Sequence, residues 1–312
     1  MSRLRTWTQV GVLALLWGST FLWIDLALDA LTPAQVTFSR CVLGSAALLI
    51  ACLVSGRRLP RDRATWGHIV VAAFFGNALP FAMFSIGQQT IDSGVAGVLN
   101  ATTPLWSLLV AVVIGSDRGL RSVRLVGLIL GFTGVVLIFA PWQTTGPVGW
   151  GALAIVAAAA SYAVGFAYMG RHLVGKGIPT ISLSAAQLIA ATGLTAPTLS
   201  ADGLTQIEIG PKTLIVVMIL GVVATGATFH LTYRIIAAEG ATNAATIGYL
   251  LPVVSVALGA IVREEDLSLR IIAGMVVVLV GVGLTRRHQR PVPAPAPAET
   301  SAVSATLHRQ ER

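Results

Sequence analysis

The chain has 312 residues, of which 55% are hydrophobic and 11% are charged, and its formal net charge is +8. Ordinary soluble domains carry roughly 25% charged residues, so this composition excludes a soluble globular protein and indicates an integral membrane protein. The charges fall in clusters between apolar stretches near 20 residues long. At about 1.5 Å per residue, each stretch is long enough to span the roughly 30 Å hydrocarbon core as a helix.

Ten apolar stretches follow one another along the chain. Those of the first half are residues 7–28, 33–54, 67–88, 93–115 and 123–140. Those of the second half are residues 148–169, 180–199, 213–236, 241–262 and 271–285. Continuous runs rich in Ala, Gly and Leu favour helices, because the strands of a membrane barrel alternate polar and apolar residues. The sequence therefore predicts an all-α integral membrane fold with ten transmembrane helices.

The segments outside these stretches are short, except at the C-terminus. Residues 1–6 are predicted to be a cytoplasmic N-terminus; their arginines also suit a signal peptide, but the apolar run that follows exceeds the usual length of roughly 7–15 residues, so we expect a retained signal anchor. Residues 141–147 are predicted to form an external linker. Residues 286–312, rich in Pro and Ala, are predicted to be a disordered cytoplasmic tail.

The basic residues are distributed unequally between the two sides of the membrane. With a cytoplasmic N-terminus, most of them fall in cytoplasmic segments, and only Lys212, Arg263 and Arg270 fall in external ones. This positive-inside pattern predicts that both termini are cytoplasmic. The net positive charge is therefore explained by the topology of a protein in a lipid bilayer, and a nucleic-acid partner is unnecessary. We expect this bilayer to be a bacterial inner (plasma) membrane.

The sequence repeats itself after 148 positions. The matched pairs are Pro104 with Pro252, Ser107 with Ser255 and Asp117 with Glu265. Residues 7–140 and 148–285 are therefore predicted to be two related five-helix units. Because five is odd, the second unit enters the membrane from the opposite side, so the two units are inverted. Inverted repeats with interrupted helices are typical of transporters, whose substrate sites lie near the midplane between the repeats.

The matched prolines and acids have distinct predicted roles. Pro104 and Pro252 lie near the middle of their helices, where a missing N–H and a ring clash allow a bend; such a bend serves either a functional hinge or packing alone. Asp117 and Glu265 precede the next predicted helix, and we expect their carboxylates to cap free N–H groups there. Gly127 and Gly131 form a GxxxG pattern that predicts tight helix packing.

Four segments carry a resemblance to a known family. They are LWGSTF, LTPAQVTFSR, GVAGVLNATTPLWSLLVAVVIGSD and EGATNAATIGYLLPVVSVALGAIVREED. As an ordered, doubled set they resemble the EamA-like branch of the drug/metabolite transporter superfamily. The resemblance implies a ten-helix exporter that alternates access to a central cavity and moves amino acids or other small metabolites outward. Asp117 stands where the family usually has Glu, and Asp25 lies close to where many members carry Lys.

Polar and aromatic residues inside the predicted helices are the candidates for a substrate site. Polar groups are costly in a bilayer and usually face the bundle interior or a wet cavity, although small and hydroxyl residues also suit helix packing. Aromatic residues either stack on a substrate or anchor helix ends at the interface. The binding candidates are Trp17, Asn77, Asn100, Thr103, Ser107, Tyr162, Gln187, His230, Asn243, Thr246, Tyr249 and Ser255, with Pro104 and Pro252 as hinges.

Two charged residues lie inside the outer half of the predicted bilayer. Asp25 lies about 5 Å below the outer end of helix one, and Arg40 about 10 Å below that of helix two. They are predicted to form a buried pair across the first hairpin, with a candidate role as an outer gate. The alternative is that each side chain extends separately to the headgroups.

Among function classes, the sequence favours a transporter. It contains no HExxH, GxSxG or GxxxxGK[ST] motif, so we expect no enzyme activity, no metal, no cofactor and no direct use of ATP. The predicted function is export of small metabolites, with amino acids favoured; drugs, purines and sugars are the alternative substrates. The sequence is also compatible with a channel or with a membrane subunit that transports nothing.

Overall fold

The computed structural model describes residues 3–114, 122–139, 149–200, 210–265 and 268–286. Asp117, the predicted linker 141–147 and residues 287–312 of the predicted tail lie outside the described residues. Every regular element in the described ranges is a helix. This confirms the predicted all-α class.

The helices follow the predicted apolar stretches. Those of the first half are α1 (Arg3–Gly18), α2 (Thr20–Leu28), α3 (Pro33–Val54), α4 (Arg63–Ala73), α5 (Leu79–Gly87), α6 (Ser93–Asn100), α7 (Thr103–Val113) and α8 (Ser122–Phe139). Those of the second half are α9 (Trp150–His172), α10 (Thr180–Thr195), α11 (Pro211–Met218), α12 (Thr228–Glu239), α13 (Ala241–Ala245), α14 (Leu251–Val262) and α15 (Leu269–Arg286). By length and apolar composition, six runs among the described residues qualify as membrane spans, and two shorter apolar helices lie at 251–262 and 269–281. The count of ten spans therefore stays a prediction.

Local sequence signals explain where several helices begin. Thr32 and Gln35 form a capping box before α3, with Pro33 in the first turn; the Gln35 N–H donates to Thr32 Oγ1 at 3.3 Å and the Thr32 N–H to Gln35 Oε1 at 3.0 Å. Asp62 caps α4 by accepting from the backbone N–H of Thr65 at 2.8 Å. This bond and a second one from the Thr65 hydroxyl hold the pKa of Asp62 below its usual value.

Both predicted helix interruptions are present. The fourth predicted helix breaks at residues 101–102, and Pro104 lies in the first turn of α7. The ninth consists of α13, a 3-10 segment at Thr246–Leu250 and then α14, with Pro252 in its first turn. A proline in a first turn removes no helical hydrogen bond, so the breaks fall just before the prolines. Their predicted role as hinges stays a prediction.

Two further helices contain π-helical segments. Phe74–Ala78 joins α4 to α5, and Ile219–Ala227 joins α11 to α12. Moved by the same 148 positions, residues 74–78 fall on 222–226, inside the second segment. Such insertions are rare and occur often at functional sites. The repetition seen in the sequence therefore extends to an uncommon backbone feature.

The two halves of the chain are interleaved. Helix α3 packs against α10 and against the π-helical segment Ile219–Ala227, whereas α5 packs against α9. Helix α6 packs against α14, and α8 packs against α15. Residues of both halves therefore line the interior of the bundle.

The predicted GxxxG packing of helix α8 is confirmed. A Cβ atom on Gly281 of α15 would lie 2.4 Å from the backbone N of Gly131 and 2.6 Å from the carbonyl O of Gly127. A Cβ on Gly134 would lie 2.7 Å from the carbonyl O of Gly274. Backbones approach this closely only where glycine is present on the contact face.

Glu265 is a helix cap, but not of the helix that the sequence predicts. Its Oε1 accepts from the backbone N–H of Ser93 at 2.8 Å and from the Ser93 hydroxyl at 2.5 Å, and its Oε2 accepts from the N–H of Gly94 at 2.9 Å. It therefore caps α6 of the other half rather than α15, because α6 packs beside α14 and its first turn lies within reach. Burial and the nearby Glu265 raise the pKa of Asp92, which precedes α6.

Replacing Gly281 tests the α8–α15 contact. We expect Gly281→Val to lower the stability of the detergent-purified protein by about 1–3 kcal/mol, because the side chain would push the backbones apart. Gly283→Val is the matched control, since no atom lies within 4 Å of its Cβ position. Thermal unfolding measures both variants, and equal melting temperatures would contradict the packing described.

Replacing Glu265 tests the cap between the halves. We expect Glu265→Ala to cost about 1–3 kcal/mol, because the Ser93 and Gly94 N–H groups lose a charged acceptor. Glu264→Ala is the control, since Glu264 is an exposed neighbour of the same charge. The two melting temperatures are compared in the same detergent; a loss as large in the control would refute the assignment.

Candidate functional site

A small cavity lies where helices of both halves meet; we name it the central chamber. Its volume is about 20 Å³, which is enough for one water molecule. It is lined by Trp17, Arg40, Phe81, Tyr162, Phe166, Ala224, Thr225, Thr228, Phe229 and Thr232. The sequence predicts Trp17, Arg40 and Tyr162 as functional residues, and the structure brings these three together.

Aromatic rings form one wall of the central chamber. The Trp17 ring meets Tyr162 edge to face, with centroids 6.0 Å apart, and Phe166 at 5.7 Å. Tyr162 and Phe166 are stacked at 5.6 Å. Such pairs add about 0.5–1.5 kcal/mol to the free energy gained from burial alone. The wall is therefore a well-packed set of rings that would have to separate to admit a metabolite.

Within the described lining, Arg40 carries the one charged side chain. Only 2% of this residue is exposed. Its Cζ lies 3.7 Å from the centroid of the Phe81 ring, and its Nε donates to Thr225 Oγ1 at 3.0 Å. Its Nη1 has no hydrogen-bond partner among the described residues. A buried charge is costly unless it is paired and hydrogen-bonded, so this guanidinium retains an unused donor and an unneutralised charge.

A second polar contact crosses between the halves at the corresponding place. Gln187 Nε2 donates to Asn77 Oδ1 at 2.8 Å and to the carbonyl of Ala72 at 3.1 Å, and the Tyr233 hydroxyl donates to Gln187 Oε1. Positions 40 and 187 are 147 apart, and positions 77 and 225 are 148 apart. In each case a helix of one half sends a polar side chain to a π-helical segment of the other.

One end of the bundle carries a cluster of charges; we name it the Arg263 end. Arg263 Nη1 and Nη2 bind the two oxygens of Asp29 at 3.1 and 3.0 Å, and its Nε pairs with Asp25. Lys212 lies 3.9 Å from Asp29. Hydrogen bonding to Asp29 and the charge of Asp25 raise the pKa of Arg263. A cavity of about 560 Å³ opens beside the cluster, and its lining includes Asp25, Asp29, Arg263 and Gln88.

The structure does not bring the predicted gate pair together. Asp25 contacts Arg263 of the other half, whereas Arg40 binds Thr225 and lies over Phe81. Asp25 and Asp29 are one helical turn apart, so both carboxylates face the end of α14. Arg40 lies deeper and on a face of α3 that contacts the second half. The predicted Asp25–Arg40 pair is therefore wrong.

A cavity of about 460 Å³ lies at the opposite end, which we name the Arg171 end. Ser107, Ala111, Phe166, Arg171 and Gly240 contribute to its lining. The Ser107 hydroxyl is buried and has no hydrogen-bond partner among the described residues. Phe166 lines both this cavity and the central chamber, so it lies between them.

Other predicted site residues have contacts away from the central chamber. Asn100 Oδ1 accepts from Thr103 Oγ1 at 3.2 Å beside the break before α7. Ser255 packs on α6, with its Oγ 3.4 Å from the carbonyl of Gly94. His230 Nδ1 lies 3.2 Å from Ser184 Oγ. The side chains of Asn243, Thr246 and Tyr249 lie outside the described part of the structure.

Several lining residues are not among the candidates that the sequence predicts. Thr225, Thr228 and Thr232 recur at helical spacing in the eighth apolar stretch, and this stripe of hydroxyls is the signal that could have found them. The sequence gives no comparable signal for Phe81, Phe166 and Phe229, because phenylalanine is common in any apolar helix. Arg263 is visible in the sequence as an exception to the positive-inside pattern.

Comparisons with known proteins agree with this architecture. A model of the EamA-like transporter family matches residues 9–140 and 149–287. A protein named an uncharacterized transporter in Archaeoglobus fulgidus is 24% identical over 284 residues, covering 91% of this chain and 99% of that protein. The uncharacterized inner membrane transporter YedA of Escherichia coli K12 is 27% identical over 267 residues, 82% of each chain.

A chain in a solved crystal structure has the same fold, with a TM-score of 0.66 at 20% identity over 90% of this chain and 96% of that one. The family match covers far more than half of the sequence. The chain therefore belongs to the EamA-like transporter family of the drug/metabolite transporter superfamily, and it is a multi-pass membrane protein that transports a small substrate.

Proposed function

We propose that the protein exports small metabolites, amino acids in particular, from the cytoplasm across a bacterial inner membrane by alternating access to the central chamber. The observation that carries this proposal is the position of the chamber. It lies between cavities at opposite ends of the bundle and is lined by residues of both halves. The Arg171 end is the cytoplasmic side in the predicted topology, and the Arg263 end is the external side.

The arrangement of the helices supports two inverted repeats, residues 7–140 and 148–285. If the two units are exchanged, α3 takes the place of α10 and α8 that of α15, and each of these pairs is in contact. The contact of α6 with α14 becomes that of α13 with α7, which is also present. The contacts Arg40–Thr225 and Gln187–Asn77 exchange in the same way. Transporters built from inverted repeats bind substrates at the repeat interface, where the central chamber lies.

The closure of the central chamber favours a transporter over a channel. Phe166 closes it toward the Arg171 end. Toward the Arg263 end, the barrier is a set of aromatic rings: the centroid of the Phe84 ring lies 5.8 Å from that of Tyr162 and 5.4 Å from that of Phe21. No metabolite fits into about 20 Å³, so passage requires these rings to move. Movement of one barrier at a time is what alternating access demands.

Transport by purified protein tests this function. Full-length protein in liposomes is assayed for counterflow with amino acids, purines, sugars and cationic drugs, with and without a pH gradient. We expect saturable exchange of at least one class, with amino acids first, and trans-acceleration by unlabelled substrate. Flux that does not saturate and shows no trans-acceleration would favour a channel, and no flux with any solute would refute the proposal.

The ion pairs at the Arg263 end test the alternation. They join α2 of the first half to the end of α14, so opening of this end must break them. In a Leu31→Cys background, we expect Arg263→Gln to speed labelling by an external, impermeant maleimide roughly fivefold, which corresponds to about 1 kcal/mol for a partly exposed pair. Leu31 is buried and lines the cavity at this end.

Lys212→Gln is the matched control, because it removes the same charge from a contact of 3.9 Å that is largely exposed. Its labelling rate should equal that of the parent. The native cysteines Cys41 and Cys52 are buried, so background labelling should be low. Equal labelling rates in all variants would show that the ion pairs do not limit opening of this end. If the external maleimide labelled no variant, the predicted orientation, with the Arg263 end outside, would be contradicted.

A further inference from the structure

We propose that Arg40 is the receptor for a carboxylate group of the substrate, so that the cargo is a small carboxylate-bearing molecule. The other side chains that line the chamber are suited to the remaining groups of an α-amino acid. This inference rests on the proposed function and makes it specific. It is carried by the buried guanidinium, by its unused donor and by the chemistry of the groups around it.

The contacts of Arg40 fix its guanidinium without satisfying it. Thr225 holds Nε, and the Phe81 ring covers one face of the guanidinium. Both partners are neutral, and the residue is 2% exposed. Nη1 is buried without a partner among the described residues. The guanidinium is therefore held in position before a ligand binds. Its charge and its Nη1 donor remain available to that ligand.

A counter-ion supplied by the cargo explains this arrangement better than a structural role. The described lining of the chamber contains no Asp or Glu, so none of these lining residues provides a counter-ion for Arg40. A single water would satisfy one donor but would not neutralise the charge. A carboxylate does both, and its two oxygens match the planar fork of an arginine.

The related contact at Gln187 shows what a purely structural solution looks like. Its Nε2 donates to Asn77 and to the carbonyl of Ala72, and its Oε1 accepts from Tyr233. Both ends of that amide are occupied by protein groups. Asn77 Nδ2 has no partner among the described residues, as Arg40 Nη1 has none. The two related crossings between the halves therefore differ in charge: one is neutral, and the other carries a buried charge at the lining of a chamber.

The other groups of the chamber suit the rest of an amino acid. The hydroxyl of Thr228 donates to the carbonyl of Val223, and that of Thr232 donates to the carbonyl of Thr228. The threonine oxygens therefore keep lone pairs that accept from an ammonium group. The faces of Trp17 and Tyr162 attract cations and pack against apolar side chains. A neutral purine or sugar would leave Arg40 unpaired, and a cationic drug would be repelled by it.

The cavity at the Arg171 end points to the same class of cargo. Arg171 contributes to its lining, and no Asp or Glu is found among the described lining residues. A cationic entrance raises the local concentration of anionic groups. Phe166 lies between this cavity and the chamber that contains Arg40.

The test combines ligand binding with transport. Purified full-length protein is heated with each L-amino acid, with the amide of each and with the corresponding decarboxylated amine, and the same compounds are used in liposome counterflow. We expect at least one amino acid to raise the melting temperature and to exchange, and its amide and amine to exchange roughly tenfold or more slowly. Arg40→Gln should abolish both effects, and Arg40→Lys should retain part of them.

The unliganded melting temperature separates a binding role from a structural one. Because Arg40 is a buried charge without a counter-ion, we expect Arg40→Gln without ligand to melt at or above the temperature of the parent. A structural arginine would instead lower it by several degrees. Lys212→Gln, which removes a charge far from the chamber, should keep the ligand-induced shift.

The outcomes distinguish this inference from the proposed function. If the parent exchanges amides or amines as fast as acids, or if Arg40→Gln keeps the carboxylate-induced shift, the inference fails and the transporter stands. If no solute of any class is exchanged, the proposed function fails. In that case, the melting temperatures of the parent and of Arg40→Gln in the presence of carboxylates decide whether Arg40 binds a carboxylate. If Arg40→Gln does not fold, the structural role is correct and the inference is overturned.

Discussion

The structure depends on one constraint, that a polar group inside the hydrocarbon core must find its partner within the protein. The two halves meet this constraint together, because each supplies partners for the other. Arg40 reaches Thr225, Gln187 reaches Asn77, and Glu265 caps the first turn of α6. These contacts lie at the centre and at one end of the bundle, so the halves are joined by polar contacts at two depths as well as by apolar packing.

The irregular parts of the helices provide these partners. Thr225 and Asn77 both lie in π-helical segments, where the wider turn shifts side chains away from the usual helical positions. The breaks before Pro104 and Pro252 lie in the helices that pack against each other as α6 and α14. Departures from ideal helix geometry therefore concentrate where the halves meet. Among the other described helices, α3, α8, α9 and α15 are each a single α-helix.

Much of the fold follows from the sequence, because apolar length, proline position and glycine spacing are properties of a single helix. The helical stretches, the two interruptions and the contact of Gly127 and Gly131 with α15 are of this kind. The partners of Asp25, Arg40 and Glu265 are not. Their depth along a helix can be counted, but the rotation of that helix about its axis is fixed by packing between the halves. Trp17 and Tyr162 can be found from the sequence because large polar-tipped rings are uncommon deep in a membrane.

The amide at Gln187 and the guanidinium at Arg40 have a consequence for how charge and shape are divided within the chamber. Each crossing contains a buried donor without a partner among the described residues, Asn77 Nδ2 in one and Arg40 Nη1 in the other, but only Arg40 carries a charge. The charge of the described lining is therefore set by one residue of the first half, at position 40. Its shape is set by both halves, because Trp17 and Phe81 of the first and Tyr162 and Thr225 of the second lie side by side in the lining.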